Sequence, residues 1–235
     1  MRESEASGAA AAPAGLRARI AGLLGIAPEG AVYMAGATAA GLLAIACGAQ
    51  WAGILILLAA FAIGMFFRDP ERTSAAPDDA ILSAADGRVT GIGESALPDD
   101  ARSAEQYRRV SVFMSPLNVH VNRAPAGGEI AAVRHTPGEF RAAYSDSASE
   151  HNERNLIVIA DAAGRRHAIM QVAGYLARRI VCRVRPGARV ARGERVGVIM
   201  FGSRVDHYLP MEYRVAVRVG DRVRAGESVI GEPQR

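Results

Sequence analysis

Lysine is absent from this chain. All 28 of its basic side chains are arginines, set against 24 carboxylates over 235 residues. The absence excludes pyridoxal phosphate held as a lysine imine, and biotin or lipoate carried on a lysine amide. A chain like this that needs an electrophilic carbonyl must make it from another residue. Cysteine is nearly absent too. Cys47 and Cys182 stand far apart in unlike surroundings, which excludes a disulfide framework and offers no metal-ligand spacing. A reducing environment for the globular part follows. Aromatic residues make up only 6%. Arg178, Arg179, Arg183, Arg185, Arg189, Arg192 and Arg195 form a basic stripe opposed only by Glu194. Without interleaved aromatics or zinc spacing, the stripe does not point to nucleic acid. It reads as a solvated strand face or a contact with anionic lipid.

Charge is missing altogether from residues 31–67. One continuous helix of that length would reach roughly 55 Å, well beyond an apolar bilayer core of about 30 Å. A break at Gly48-Ala49-Gln50 divides the run into two segments of about 17 to 19 residues, each just long enough to cross or nearly cross. Arg17 and Arg19 precede the run, Arg68 and Arg72 follow it, and the break carries no charge. The positive-inside rule then predicts a membrane-associated helical hairpin with both ends in the cytoplasm. The run starts too late and is too long for a cleaved signal peptide. Residues 1–30 are rich in Ala, Gly and Ser and read as a loose tail with a short helix around 16–24.

Pro70 and Pro77 mark the exit from helix. From residue 68 to the end, short apolar runs separated by turn signals predict a mainly β (α+β) domain, with strands near 109–114, 128–135, 156–160, 167–172, 180–184, 195–201, 212–219 and 228–231. An internal echo lies within it. Gly187-x-Arg189-Val190-x-x-Gly193-Glu194-x-Val196 recurs as Gly220-x-Arg222-Val223-x-x-Gly226-Glu227-x-Val229. Each copy predicts two short strands around a glycine turn. The pattern resembles the half-barrels of lipoyl and biotinyl domains, without the lysine those present. The repeat therefore reads as architecture, with Ser203 on the connection between the copies.

That connection opens with Gly197-Val198-Ile199-Met200-Phe201-Gly202-Ser203-Arg204. A Gly-Ser bond after an apolar strand can rearrange. The serine hydroxyl attacks the preceding carbonyl, the resulting ester undergoes β-elimination, and hydrolysis of the new N-terminus leaves a pyruvoyl ketone. Phe201-Gly202-Ser203-Arg204-Val205-Asp206, Phe66-Phe67-Arg68-Asp69-Pro70 and Ser115-Pro116-Leu117-Asn118-Val119-His120-Val121-Asn122-Arg123 together resemble the short prokaryotic phosphatidylserine decarboxylases. Ser83-Ala84-Ala85-Asp86-Gly87-Arg88-Val89 and Asn152-Glu153-Arg154-Asn155 fit the same pattern. The resemblance covers residues 60–210. It implies self-cleavage between Gly202 and Ser203 into a β chain, 1–202, and an α chain, 203–235, that stay together as a heterodimer. It also implies a pyruvoyl group made from Ser203, with no metal and no pyridoxal phosphate. The substrate would be phosphatidylserine and the products phosphatidylethanolamine and carbon dioxide. Association into a homo-oligomer is compatible with this, and the catalytic domain is expected on the cytoplasmic side of the cell membrane.

The resemblance places a catalytic aspartate at Asp86, where an Asp-Gly turn is the plain alternative. A nucleophilic serine needs a base, and Asp with His is the usual arrangement. His120 is the histidine candidate, as base or as later proton donor. Longer family members carry His-x-x-His here, and this chain has Arg123 at the second position. His207 reads as a local structural residue. Arg154 and Asn155 are candidates for binding the headgroup anion. Two alternatives remain at this level: a pyruvoyl enzyme for a soluble amino acid, which would not need residues 31–67, and a membrane-tethered lipoyl-like adaptor, for which the link between the half-motifs is too short.

Overall fold

The computed structural model describes residues 22, 25–98, 105–139, 152–174, 179–200 and 203–234. The chain forms two compact units, Met1–Pro70 and Glu71–Arg235.

The first unit is a helical hairpin. Helix α1 spans Pro28–Ala46 and α2 spans Gln50–Phe66. Pro28 starts α1 where its missing N–H does no harm, and Gly48, at φ +88°, turns the chain between the helices. The helices touch along small residues. A Cβ on Gly53 would stand 2.7 Å from the carbonyl oxygen of Gly41, so glycine permits this close approach. The base is tied by Ala27 N donating to Phe67 O at 2.7 Å and Asp69 N to Gly25 O at 2.6 Å. Large apolar side chains face outward, including Trp51, Leu55, Leu58 and Phe61. By length and composition α1 is long and apolar enough to cross a membrane; α2 is apolar and shorter.

The second unit is mainly β. Its strands are β1 (Ile81–Leu82), β2 (Gly87–Ala96), β3 (Gln106–Met114), β4 (Val121–Arg123), β5 (Gly128–Thr136), β6 (Arg154–Ala160), β7 (Arg166–Val172), β8 (Ile180–Cys182), β9 (Arg189–Val190), β10 (Arg195–Ile199), β11 (Ser203–Pro210), β12 (Tyr213–Val215), β13 (Arg222–Val223) and β14 (Val229–Pro233). An eight-stranded curled sheet runs β13-β2-β3-β11-β7-β6-β5-β9, and two small sheets run β1-β14-β12 and β4-β10-β8.

About its centre the strands correspond in pairs, β13 with β9, β2 with β5, β3 with β6 and β11 with β7, because the unit is built from two related halves. Backbone hydrogen bonds come in matched pairs. Gly193 N donates to Ala124 O at 2.9 Å, and Gly226 N to Ser83 O at 2.8 Å. Gly187 N donates to Ile130 O at 2.9 Å, and Gly220 N to Val89 O at 2.8 Å. Arg123 N donates to Ala84 O at 2.9 Å, and Leu82 N to Pro125 O at 3.0 Å. The sheet rung Arg88–Phe113–Arg204 likewise has a mate in Glu129–Ala160–Arg166. The pseudo-two-fold axis passes between the central strands β11 and β7, at the rung joining His207 to Ile169. Gly87 and Gly128 are also mates. A Cβ on either would lie 2.1 Å from a carbonyl oxygen, that of Phe113 or of Ala160. The glycines let neighbouring backbone pass at contact distance.

The echo between 187–196 and 220–229 is one visible part of this symmetry. The expectation that Ser203 lies on a connection needs refining: the connection is itself a central strand. Cross-strand pairing sends Ser203, Val205, His207 and Leu209 to one face, with the large core of Val110, Val112, Met114 and Ile169. Arg204, Asp206 and Tyr208 face the other way, with Leu156, Val158 and Met170.

Candidate active site

Ser203 opens β11 on the rung of Met114 and is fully buried. Its Oγ has no hydrogen-bond partner among the described residues. A buried hydroxyl left so is worth about 1–3 kcal/mol less than a satisfied one, and such groups in native proteins call for a functional or structural reason. Gly202 lies outside the described residues.

His120 sits just before β4, its imidazole buried. Its carbonyl oxygen accepts from Ile199 N at 3.2 Å, which seats the histidine beside the apolar run leading to Ser203. Two residues on, Asn122 donates through Nδ2 toward Met114 Sδ, at 3.6 Å. Asn122 ends a chain of buried amides: Asn155 Nδ2 donates to Gln171 Oε1, and Gln171 Nε2 to Asn122 Oδ1, both at 2.8 Å. These bonds fix the orientation of three side chains on the serine's face of the sheet.

Asp86 is not in a hairpin turn. It lies between β1 and β2, where Arg72 grips it with two nitrogens, at 2.6 Å to Oδ1 and 2.9 Å to Oδ2. Ala225 N also donates to Oδ1, at 2.8 Å, and Arg72 completes the knot by donating to Ala225 O at 3.1 Å. The two-fold mate of Asp86 is Gly127, where a Cβ would lie 3.3 Å from Arg192 N, the mate of Ala225 N. The architecture therefore stands without a carboxylate on that side, so Asp86 is not demanded by the fold alone.

His207 is locked in place. Its Nε2 accepts from Ala84 N at 2.8 Å, and its Nδ1 lies 3.0 Å from Val110 O. A carbonyl can only accept, so Nδ1 carries the proton and the ring is neutral. Burial holds its pKa down to about 4 against the opposing pull of the Val110 carbonyl and Asp206. Symmetry explains the residue: the mate of Ala84 is Pro125, which has no N–H to satisfy, and the mate of His207 is the apolar Ile169. Both ring nitrogens are spent on backbone, in keeping with a structural role.

Arg154 lies across from Val172 and Arg204, on the face opposite Ser203. Asn155 is on the serine's face and donates one N–H to Gln171 Oε1. Arg123 donates Nη1 to Gly193 O at 2.9 Å and binds down a glycine turn of the repeat. Arg204 and Asp206 form a buried pair, Nε to Oδ1 at 2.9 Å, on the far face. Sequence reasoning missed Arg72, Asn122 and Gln171. Gln171 carried a usable signal, as a lone amide inside the apolar stretch 167–172. Among the described residues no cluster of three or more His, Cys, Asp or Glu could hold a metal ion.

Comparison with known proteins decides the family. The family model for phosphatidylserine decarboxylase matches residues 59–231. The chain belongs to the phosphatidylserine decarboxylase family. It is 44% identical over 210 residues to the phosphatidylserine decarboxylase proenzyme of Magnetococcus marinus, covering 88% of this chain and 94% of that one. It is 48% identical over 167 residues to that of Solidesulfovibrio magneticus, covering 71% and 77%. Against that of Ralstonia nicotianae it is 44% identical over 208 residues, covering 88% and 95%. The matched region spans Asp86, His120, Ser203 and the two-fold body of this family member as far as residue 231, within β14.

Proposed function

We infer that this chain decarboxylates phosphatidylserine to phosphatidylethanolamine, after cutting itself between Gly202 and Ser203. The observation that carries the reading is the buried Ser203 Oγ, without a hydrogen-bond partner among the described residues, at the joint between an apolar strand and the central strand of the sheet. Such a hydroxyl has little to lose by attacking the carbonyl of residue 202. The peptide bond becomes an ester as the nitrogen takes up the hydroxyl proton. Loss of the Cα proton then expels the carboxylate of residue 202, and water releases ammonia from the new end. The residue that fits this origin of a pyruvoyl group is Ser203, since the chain has no lysine for another imine carrier. A pyruvoyl group supplies a ketone that takes the substrate amine and accepts the electrons left when carbon dioxide departs.

The chain's own residues provide the rest. His120 is the group proposed to move protons, first from Ser203 and later to the substrate carbon. Asp86, gripped by Arg72, is proposed to set the charge around that histidine. The amide chain ending at Asn122 holds the wall that includes Met114. Arg154 and Asn155 remain headgroup candidates only if the substrate recruits them from their present positions. The α chain, 203–235, supplies β11 to β14 and stays bound to the β chain as a heterodimer.

The helical hairpin is proposed as a membrane anchor, supported by its outward apolar side chains and by the glycine contact between its helices. A lipid substrate stays in the bilayer, so an anchor keeps enzyme and substrate in one layer. The flanking arginines favour the cytoplasmic side. The two halves are proposed to be lipoyl-like half-barrels used purely as scaffold.

Intact mass of the purified protein tests the reading. Two chains are expected, 1–202 and 203–235, the second lighter than its serine form by one ammonia. Ser203→Ala should give one full-length, inactive chain. A single full-length species that decarboxylates phosphatidylserine would refute it.

A further inference from the structure

The pseudo-two-fold axis gives the serine site a counterpart. One rung beyond the pair of mates Arg204 and Arg166, Ser203 and Met114 correspond to Arg165 and Asp161, which are joined by Asp161 N donating to Arg165 O at 3.0 Å. By the same operation Val205 corresponds to His167. Asp79, two residues before Ile81, corresponds to His120, two before Asn122. A cavity of about 450 Å³ occupies this place, lined by Asp79, Asp161, Arg165, His167 and Tyr213 among others.

Its side chains differ from those at Ser203 and form their own constellation. Asp161 Oδ2 takes Arg165 Nε at 2.7 Å and lies 3.1 Å from His167 Nε2. Its Oδ1 accepts from the backbone N–H of Ala163 and Arg165, both at 2.9 Å. Burial raises the Asp161 carboxyl, but its hydrogen bonds from His167 and Arg165 outweigh that and leave its pKa below the usual value. An ionised carboxylate only accepts, so His167 Nε2 carries the hydrogen and Nδ1 is left as an acceptor. Burial lowers the His167 pKa despite Asp161, which keeps the ring neutral near pH 7. That Nδ1 is buried and has no hydrogen-bond partner among the described residues. The same cavity is lined by exposed Asp79 and by Arg165, whose guanidinium lies 5.3 Å above the Tyr213 ring and whose side chain is one-third exposed at 32%. Arg192 shapes the wall by donating to the carbonyls of Pro77, Ala80 and Ala76.

We propose that this second cleft binds a small zwitterion carrying a primary ammonium and an anionic group. The ammonium fits the acceptor His167 Nδ1 and the carboxylate of Asp79. The anion fits the outward nitrogens of Arg165. Aminophospholipid headgroups and free amino acids share this chemistry. The assignment comes from the cleft's own groups and stands apart from the decarboxylation reading.

The test is a titration of the full chain in detergent, following the histidine ring nitrogens by NMR, with the His167 signals assigned by His167→Gln. Glycerophosphoethanolamine represents the headgroup, and L-serine the free amino acid. At least one should shift the His167 signals saturably at millimolar concentration, and which one does so identifies the source. Ethanolamine and inorganic phosphate, each with half of the charge pair, should bind at least tenfold more weakly. Asp79→Asn, at an exposed position, should weaken binding about tenfold and leave phosphatidylserine turnover unchanged. Absence of a saturable shift with either zwitterion, or full affinity in Asp79→Asn, overturns the proposal. Binding in a chain that fails to decarboxylate would refute the enzyme reading alone.

Discussion

Lowering the pH from 7 to 4 should weaken the folded chain through His207. The folded ring titrates at about 4 because it is buried between Ala84 N and Val110 O. In the unfolded chain a histidine titrates at about 6.5. Between those values the unfolded chain binds a proton that the folded chain refuses, so stability falls as the pH falls. The contribution is intact above about 6.5 and declines through the window. It changes no further below about 4, where both states are protonated. A gap of this size corresponds to about 3 kcal/mol. Urea unfolding of Ser203→Ala chains, which remain uncut, should show this loss relative to a His207→Gln partner that cannot titrate. The subtraction matters because His167 is also held below its usual value, mainly by burial. The two curves should be parallel above pH 7 and diverge in the acid window. Parallel curves down to pH 4, or a folded His207 ring that titrates near 6.5 by NMR, would refute the assignment of a locked neutral ring.

Gly87→Ala should cost about 3 kcal/mol or more, since the new Cβ would meet Phe113 O at 2.1 Å; Gly93→Ala on the same strand, with nothing within 4 Å, should be nearly silent. Thermal melts would separate the two. Asp86→Asn should leave the fold intact and slow self-cleavage by about 100-fold or more, because the carboxylate loses its charge; cleavage at the normal rate on a denaturing gel would exclude Asp86 from maturation. His120→Ala should slow cleavage and abolish turnover, and normal values of both would remove it from the site. Protease added outside right-side-out vesicles should spare the β unit, and its digestion would overturn the cytoplasmic orientation.

Much of the β unit was legible because its strands alternate or run apolar between turn residues. β6 and β7 were found within two residues of their ends by that signal. β11 was not. Its run Ser203-Arg204-Val205-Asp206-His207-Tyr208 reads as polar connection, yet both faces of this strand are covered. A strand that buries polar residues on both faces, with Arg204 paired to Asp206 and His207 held by backbone groups, has no period that sequence alone can reveal. The two-fold was half visible for a related reason. The 187–196 and 220–229 copies share side chains, whereas the 82–89 and 123–130 segments share mainly a backbone path and the glycines Gly87 and Gly128. Ser203, Asp86 and His120 are legible from motif resemblance, but the partners that hold them in place come from distant parts of the chain. Arg72 reaches Asp86 and Ala225 at once, a contact no local window contains.

The position of Ser203 within the sheets also determines what a cut there can do. The strands after it are interwoven with those before it: β11 lies between β3 and β7, β13 pairs with β2, and β14 lies between β1 and β12. A break before β11 therefore creates a chain end without creating a removable piece. The new terminus begins at the rung with Met114 and is pinned from its second residue by ladders on both sides. Maturation on this plan would be a change of covalent bond with almost no change of shape. The small chain should neither diffuse away nor exchange between molecules short of unfolding the whole unit, and a reactive group at its tip would inherit the rigidity of the sheet's centre.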